Sequence, residues 1–204
     1  MLYHCDGEFV IRVGGLDLMS SHAHVSEEEL ARLTLEPMEK KEKPRVLIGG
    51  LGLGYTARAA LDMLPPQAEL VVAEIVPAVI RWNRGPLAHL ANHPLDDPRV
   101  TLQEIDVRTL LVRATQRFDA ILLDVDNGPA AFTRKPNQTL YSSNSLEMIQ
   151  RTLRPGGALA VWSATSDDAF SDRLRDVGFT SEMHSVNARG RAGGPRHTIF
   201  IGRI

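Results

Sequence analysis

The feature that most constrains the fold is a short apolar segment that runs into a glycine-rich turn. The apolar residues 46–48 lead into a turn that contains Gly49, Gly50, Gly52 and Gly54. A helical pattern follows, and further along the chain the apolar residues 70–73 end in Glu74. Glycines at such a turn let a ligand approach the backbone, and a carboxylate after the second strand can accept hydrogen bonds from ribose hydroxyls. The pattern predicts a nucleoside site, although a glycine turn can also serve only to pack a helix on a sheet.

Strands and helices alternate through the remainder of the chain. The apolar runs predict strands at 45–48, 70–73, 100–103, 120–123 and 158–162, and the periodicity predicts helices at 55–64, 77–83, 108–115, 145–153 and 167–177. Continuous apolar runs separated by helices are typical of strands buried on both faces. We therefore predict an α/β fold with a doubly wound, Rossmann-like, mostly parallel sheet. Two last strands, 180–186 and 198–201, have no helical pattern between them and are expected to form an antiparallel C-terminal hairpin at the sheet edge.

The first part of the chain has a different pattern. Alternating apolar and polar residues around Gly14 and Gly15 predict a hairpin over 8–19. Ser26 and Glu29 have the spacing of a capping box, which predicts the start of a helix. A charged segment then ends at Pro44, which cannot continue a helix. We predict an N-terminal hairpin and helix extension over 1–43 and the main domain over 44–204.

Composition limits the classes of partner. The formal net charge of −2 over 204 residues argues against bulk attraction to nucleic acid or to an anionic membrane. Apolar runs stay well short of the roughly 20 residues that a membrane span needs. The single cysteine, Cys5, is consistent with a reducing cytoplasm. His22 and His24 lack an accompanying set of ligands, so we predict no metal site and explain both as surface or core histidines. A cytoplasmic protein without nucleic-acid or membrane partners is expected.

Acidic side chains follow three successive predicted strands of the sheet. They are Glu74, Asp106, Asp124 and Asp126. The carboxyl ends of parallel strands share one edge, where open α/β sheets bind ligands. Glu74 suits a ribose diol, or else caps the next helix; Asp106 suits an adenine amino group, or else caps the helix after it. Asp124 could attract a cationic sulfonium, hold and deprotonate an amine, or be purely structural.

Two ligand classes fit this arrangement. Gly52, Gly54 and Ala57 satisfy the permissive dinucleotide fingerprint, so an NAD-dependent oxidoreductase is one alternative. The predicted terminal hairpin and the acids after the third and fourth strands suit an adenosyl sulfonium better than a pyrophosphate. A catalytically inactive nucleoside-binding or scaffold protein that keeps the fold is the other alternative.

The order of these motifs resembles the class I S-adenosylmethionine-dependent methyltransferase fold and, within it, the spermidine synthase (polyamine aminopropyltransferase) family. The resemblance rests on FVIRVGGLDLMS at 9–20, VSEEEL at 25–30, the glycine loop, and DVDNGPA at 124–130 with Leu140 and Tyr141 after it. It implies that the donor is bound by Gly49, Gly50, Gly52, Gly54, Glu74, Ile75, Asp106, Val107 and Asp124. It also implies that Asp124, Asp126 and Tyr141 are catalytic, with Asp124 deprotonating the attacking amine.

The sequence departs from the family pattern at several points. Gly52 stands where the family's glycine loop usually carries an aspartate, and Ser142 stands where a glutamine is common. Much of the family's N-terminal β-domain is missing, and the loop after Asp124 is shorter. We predict a transferase that uses S-adenosylmethionine or its decarboxylated form, without a metal, to pass a methyl or aminopropyl group to an amine or other small molecule. A polyamine acceptor and a homodimer are what the resemblance implies.

Overall fold

The computed structural model describes residues 1–114, 118–125, 129 and 139–204. Within them the chain forms a three-stranded sheet and a seven-stranded sheet with helices on both faces. The small sheet is antiparallel and comprises β1 (Leu2–Cys5), β2 (Glu8–Val13) and β3 (Leu16–Ser20). The predicted hairpin is the β2–β3 pair, and β1 adds a strand that the sequence pattern did not indicate.

The first helix, α1 (Val25–Leu35), begins differently from the prediction. The predicted capping box is wrong, because the N-cap is His24 and Ser26 lies inside the helix with a fully buried side chain. The physical reason is tertiary: the Ser26 hydroxyl faces the main sheet, where the Trp162 indole donates to it. The short 3-10 turn Glu36–Met38 then leads to the main sheet.

The main sheet has the alternation that the apolar runs predict. In chain order its elements are β4 (Arg45–Gly49), α2 (Tyr55–Met63), β5 (Glu69–Glu74), α3 (Pro77–Asn83), β6 (Val100–Glu104), α4 (Val107–Arg113), β7 (Phe118–Leu123), α5 (Ser143–Thr152), β8 (Leu153–Ser163), α6 (Asp168–Asp176), β9 (Thr180–Asn187) and β10 (Arg196–Arg203). Further 3-10 turns lie at Ala88–Ala91, Pro94–Asp96 and Gly190–Ala192.

The strand order is β6-β5-β4-β7-β8-β10-β9. The pairs β5–β6, β4–β5, β4–β7 and β7–β8 are parallel, whereas β10 is antiparallel to both β8 and β9. The predicted mostly parallel sheet with an antiparallel C-terminal hairpin is therefore confirmed. Of the hairpin strands, β10 lies inside the sheet and β9 forms its edge.

Two apolar layers hold the helices on the sheet. Side chains of β4 point alternately to the two faces: Val46 and Ile48 join the layer under α1 and α2, and Leu47 joins the layer under α4, α5 and α6. Complete burial of each such side chain stabilises the fold by about 1.5–3 kcal/mol. Leu30 of α1 lies fully buried in the first of these layers, so the N-terminal helix shares the core of the main sheet. The predicted boundary between 43 and 44 stays a prediction.

Asp119 in β7 illustrates the structural use of a carboxylate at the end of the sheet away from the glycine loop. It accepts hydrogen bonds from Lys41 Nζ and Arg154 Nη1, both at 2.7 Å, and from the backbone N–H of Arg45 at 2.8 Å. These bonds tie the start of β4 to β7. Asp119 thus stabilises the strand pair from the edge opposite the predicted site.

Strand register brings three carboxyl ends together. Gly49 at the end of β4 lies opposite Ala73 of β5 and opposite Leu123 of β7. The chain leaves β4 toward β5 on one side and returns as β7 on the other, which is the switch point where open α/β sheets bind ligands. Glu74 and Asp124 are consequently placed on either side of the glycine loop.

Candidate active site

The glycine loop and the segment after β7 are fastened directly to each other. The backbone N–H of Asp124 donates to the Gly49 carbonyl at 2.8 Å, and the N–H of Gly50 donates to the Ala73 carbonyl at 2.8 Å. Gly50 has φ +93°, and a Cβ there would collide with the Asp124 carbonyl oxygen. Any side chain at position 50 would force the two segments apart. The loop therefore needs glycine here for both its backbone angle and its close approach.

Glu74 supports this loop from β5. Its carboxylate is 6% exposed; Oε2 accepts from the backbone N–H of Leu51 at 2.9 Å and Oε1 accepts from Val76 N–H at 2.7 Å. Each carboxylate oxygen has a second lone pair that can accept from a hydroxyl. The carboxylate is thus fixed at the switch point, and its contact with a ribose diol stays a prediction.

Apolar and polar groups flank Glu74 along the same edge. Ile75 is 61% exposed, so an unusually large apolar surface lies next to the carboxylate. Val107 is buried, and its Cγ2 lies 2.9 Å from where a Cβ on Gly49 would be. Asp106 caps α4 through Oδ1, which accepts from Arg108 N–H at 2.8 Å. The capping role of Asp106 is established, whereas its contact with an adenine stays a prediction.

Asp124 is the buried carboxylate nearest the centre of the edge. It is 7% exposed, and its Oδ2 accepts a hydrogen bond from Thr56 Oγ1 of α2 at 2.8 Å. Burial raises the pKa of Asp124 to about 6; the Thr56 bond opposes this rise and the charge of Glu74 adds to it. A carboxylate that titrates close to neutrality is well matched to accept a proton from a reacting group.

A second carboxylate, Glu27, comes from α1 and is partly buried. Its Oε2 accepts from Ser26 Oγ at 2.6 Å. Burial, followed by the charge of Asp124, raises the pKa of Glu27 to about 8. The sequence reasoning missed Glu27 as a site residue. Its spacing from the buried Leu30 and Ala31 is the signal that could have placed it on the inner face of the helix.

Tyr55 adds a hydroxyl close to these acids. Burial raises its pKa to about 12, with further contributions from the charges of Glu28 and Glu27. The Tyr55 hydroxyl donates to the Ser21 carbonyl at 3.3 Å, and its ring stacks on His24 at 4.3 Å between centroids. Thr56 and Tyr55 both begin α2 directly after the glycine loop. The first turn of this helix therefore supplies the site with one hydroxyl on Asp124 and one aromatic wall.

The N-terminal sheet covers the glycine loop at Gly52. The Met19 sulfur lies 2.8 Å, and its methyl 2.9 Å, from where a Cβ on Gly52 would be. Gly52 has φ +53°, a backbone angle that disfavours side chains in any case. A side chain at position 52 would have to displace Met19. The space that a side chain at position 52 would occupy, where the resembled family usually has an aspartate, is therefore filled by the Met19 thioether of β3.

The other predicted catalytic residues are placed less directly. Tyr141 is buried, its ring packs edge-on against Phe170 at 5.7 Å, and its hydroxyl donates to the Val125 carbonyl at 3.4 Å. It therefore contacts the backbone next to Asp124, and a catalytic role for it stays a prediction. Asp126 lies outside the described residues. Ser142 caps α5 by accepting from Ser145 N–H at 3.4 Å.

Metal ligation and membrane crossing can both be assessed for residues 1–114, 118–125, 129 and 139–204. Among those residues, no group of three or more His, Cys, Asp or Glu side chains could hold a metal ion. His24 instead lies 2.9 Å from Glu28, and His22 lies 3.6 Å from Glu8. None of the described helices has the length and apolar character to cross a membrane.

Comparison with known proteins places these residues in context. The family model described as "Spermine/spermidine synthase domain" matches residues 23–166, a segment that contains Glu27, the glycine loop, Glu74 and Asp124. Polyamine aminopropyltransferase 2 of Pseudomonas aeruginosa is 33% identical over 197 residues, covering 87% of this chain and 52% of the relative. The polyamine aminopropyltransferase of Korarchaeum cryptofilum is 27% identical over 166 residues, covering 80% and 49%. The chain spans about half the length of these curated relatives.

Solved structures show the same fold. Spermidine synthase from Thermotoga maritima has a TM-score of 0.74 at 18% identity, covering 96% of this chain and 65% of that one. A spermidine synthase in complex with the transition state analogue AdoDATO has a TM-score of 0.74 at 16% identity, covering 100% and 71%. Precorrin-6y C5,15-methyltransferase from Geobacter metallireducens has a TM-score of 0.61 at 16% identity, covering 86% and 89%. The predicted methyltransferase-like architecture is confirmed.

Proposed function

The chain belongs to the spermine/spermidine synthase domain family, and from that premise we propose that it transfers an aminopropyl group from decarboxylated S-adenosylmethionine to an amine acceptor of the polyamine class. The observation that carries the proposal is the position of Asp124. This buried carboxylate, with its pKa raised to about 6, is fastened to the glycine loop inside the matched segment. A base at that place faces whatever the loop and Glu74 bind.

The reaction assigns a task to each part of the edge. Glu74 accepts from the ribose hydroxyls of the donor, Ile75 offers its exposed apolar surface to the adenine, and Asp106 faces the adenine amino group. The amine nitrogen attacks the methylene next to the sulfonium and forms the new carbon–nitrogen bond. The carbon–sulfur bond breaks, and its electron pair stays on sulfur, which becomes a neutral thioether. Asp124 takes the proton that the nitrogen loses. Since the sulfonium is already an activated leaving group, the protein contributes mainly alignment and a base.

A cationic acceptor fits the charge of this edge. Asp124 is buried and Glu27 is partly buried, and an ammonium group between the two carboxylates would relieve their mutual repulsion. Asp126 and Tyr141 are proposed to complete the catalytic group after β7. The whole arrangement uses carboxylates and hydroxyls and requires no metal.

Methyl transfer from S-adenosylmethionine is the second candidate, and the Gly52–Met19 contact favours it. The family's loop usually has an aspartate where this chain has Gly52, and a thioether covers that position. The tail of S-adenosylmethionine carries its own carboxylate beside the amine, so a protein carboxylate at this position would repel it. The attacking atom would then take a methyl group from the same sulfonium, again with Asp124 as base.

Calorimetric titration with decarboxylated S-adenosylmethionine, S-adenosylmethionine and NAD separates these functions. The proposal expects the tightest binding for the decarboxylated donor, and mass spectrometry should find an aminopropylated product with a panel of primary diamines and polyamines. Tighter binding of S-adenosylmethionine with a methylated product would replace it by methyl transfer. Binding of NAD alone would point to an oxidoreductase. Donor binding without any product would identify an inactive binding protein.

Assembly and location follow from the same premise. We propose a homodimer, which sedimentation at two protein concentrations would test. The exposed thiol of Cys5 is free, in keeping with a reducing compartment such as the cytoplasm.

A further inference from the structure

A buried hydroxyl connects the acids of the candidate site to a histidine on another strand. Ser26 Oγ lies 2.6 Å from Glu27 Oε2 and 2.9 Å from His197 Nδ1. Ser26 is fully buried in α1, whereas His197 is half-buried on β10. Ser26 thus connects Glu27, which belongs to the candidate site, with the partly exposed ring of His197.

Trp162 restricts what this hydroxyl can do. Its indole Nε1 donates to Ser26 Oγ at 3.0 Å. A hydroxyl accepts up to two hydrogen bonds and donates one. With one acceptor position used by the indole, Ser26 accepts from one of its remaining two partners and donates to the other. Glu27 and His197 must therefore take opposite roles.

Two arrangements of protons meet this requirement when any proton of Glu27 is on Oε2, the oxygen that faces Ser26. When Glu27 is ionised, Ser26 donates to it and accepts from His197, which must carry its proton on Nδ1. When Glu27 is protonated, it donates to Ser26, which then donates to His197 Nδ1, and the neutral ring carries its proton on Nε2. The tautomer of His197 is consequently coupled to the protonation state of Glu27.

Resting on the proposed function, we propose that Ser26 and His197 form a proton exit that carries the proton of the attacking amine from the Asp124–Glu27 pair toward solvent. Glu27, Ser26 and His197 are positioning residues in this scheme, since they act through Asp124. The indole of Trp162 keeps the serine oriented, and its ring also packs edge-on against His197 at 4.6 Å.

The proton balance closes without any further reactant. Asp124 takes one proton from the amine nitrogen. Protonated Glu27 gives its proton to Ser26 Oγ, Ser26 gives its own to His197 Nδ1, and the ring releases the Nε2 proton to water. The emptied Glu27 carboxylate then takes up the proton of Asp124, whose charge acts on it, directly or through one water. One proton leaves the amine, one enters solvent, and no group is oxidised or reduced.

Several charged or titratable groups act on this path. Glu27 is faced by Asp124 after β7, by Tyr55 of α2 and by Glu28 of its own helix. Asp124 is in turn faced by Glu74 of β5. Burial lowers the pKa of His197, so the ring is neutral near pH 7 and free to exchange tautomers. Burial and Asp124 raise the pKa of Glu27 to about 8, so its protonated form is available in the same range.

Nitrogen-15 NMR of the histidine rings tests the coupling without any turnover. The chain has 7 histidines, and His197→Gln identifies the signals of interest. In the wild-type protein the His197 ring should change from the Nε2–H tautomer at pH 7 to the Nδ1–H tautomer above pH 9. Glu27→Gln should abolish this change, whereas the matched control Glu28→Gln should keep it. A single tautomer across that range in the wild type would overturn the proposal.

Kinetics then test whether the path carries the reaction's proton. Ser26→Ala should lower the transfer rate by about 10²-fold, the lower end of what positioned proton transfer contributes, with an unchanged donor Kd and a larger solvent isotope effect. Ser26→Thr restores a hydroxyl and should recover part of the rate. Thr34→Val, which removes another buried hydroxyl of α1, should leave the rate unchanged. If Ser26→Ala transferred the group at the wild-type rate, the proposed proton exit would be excluded.

These outcomes stay separate from those of the proposed function. If the wild-type protein transfers nothing to any amine, the proposed function fails, while the tautomer measurement still decides whether Glu27 and His197 are coupled. If transfer occurs and the tautomer of His197 does not depend on the protonation of Glu27, the proposed function is supported and the proton exit is excluded. The NMR experiment does not use Ser26→Ala, so poor folding of that variant leaves the proposal open to refutation.

Discussion

At the residue scale, the site shows how environment divides the tasks of similar side chains. Asp119 lies near the start of β7 and Asp124 directly follows its last residue, and both are buried. Asp119 is neutralised by Lys41 and Arg154, whereas Asp124 has a threonine hydroxyl and a neighbouring carboxylate. A paired carboxylate stabilises structure, and an unneutralised one is available to accept a proton.

Replacement of Asp124 by asparagine tests this division. Asp124→Asn should keep the donor Kd within a few-fold and lower kcat by about 10²-fold or more, because the side chain keeps its shape and loses its basicity. Stopped assays of product together with calorimetry would measure both. Asp119→Asn is the matched control: it should lower stability yet leave the kcat of the folded enzyme intact. Retained turnover in Asp124→Asn would remove it from the catalytic role.

Glu74 is predicted to act in donor binding. Hydrogen bonds to a charged group contribute about 1.5–3 kcal/mol each, so Glu74→Ala should weaken donor binding by roughly tenfold to a hundredfold. The two loop amides that it accepts from would also lose their acceptor. Glu74→Gln keeps an oxygen that can accept from one of these amides, so its donor Kd should lie between those of the wild type and Glu74→Ala. Equal donor Kd values in wild type and Glu74→Ala would exclude Glu74 from the site.

At the element scale, strands were easier to predict than the faces of helices. The apolar runs located the strands of the main sheet, most clearly β4, β5 and β7, whose side chains are buried almost throughout. Glu74 and Asp124 followed because parallel strands end at one edge. Glu27 and Thr56 were not found, since their roles depend on which face of α1 and α2 meets the sheet. Ser26 shows the same limit: a local capping pattern was overridden by tertiary bonds to Trp162 and His197.

The N-terminus of α4 offers a test that separates helix capping by Asp106 from contact with a ligand. Asp106→Ala should lower the free energy of unfolding by about 0.5–2 kcal/mol, because the N–H of Arg108 loses its acceptor. Asp106→Ser keeps a capping oxygen and should recover most of that stability, as measured by urea unfolding. If Asp106 also contacts adenine, both variants should bind the donor more weakly. Normal donor binding in Asp106→Ser would leave the cap as its one supported role.

At the scale of the whole molecule, the acids of the site set a pH dependence of stability. The pKa values of Asp124 and Glu27 are raised from 3.8 and 4.5 to about 6 and about 8 in the folded state. Since a raised pKa favours the protonated folded form, their contributions are complete below about pH 4 and are lost as pH rises through the folded values. The site is therefore a source of instability on the alkaline side of neutrality.

Urea unfolding between pH 5 and pH 9 would measure how much stability is lost as Asp124 and Glu27 ionise. The free energy of unfolding of the wild type should fall over that range and level off above about pH 8, and Glu27→Gln should remove most of the fall between about pH 6 and pH 8. Each difference of one in pKa corresponds to about 1.4 kcal/mol. Glu28→Gln, which alters the neighbouring acid, should keep the wild-type profile. Parallel profiles for wild type and Glu27→Gln would contradict a folded-state pKa near 8.

The amide-to-carbonyl bond between Asp124 and Gly49 has a consequence for how such a protein can diversify. Under the proposed function, the turn that would bind the nucleoside and the carboxylate that would act as base are joined by this bond, which limits how far either can move relative to the other. Met19 and Glu27 come from other elements, β3 and α1. We therefore expect acceptor preference to change through substitutions at such positions, while the joined turn and carboxylate stay the same.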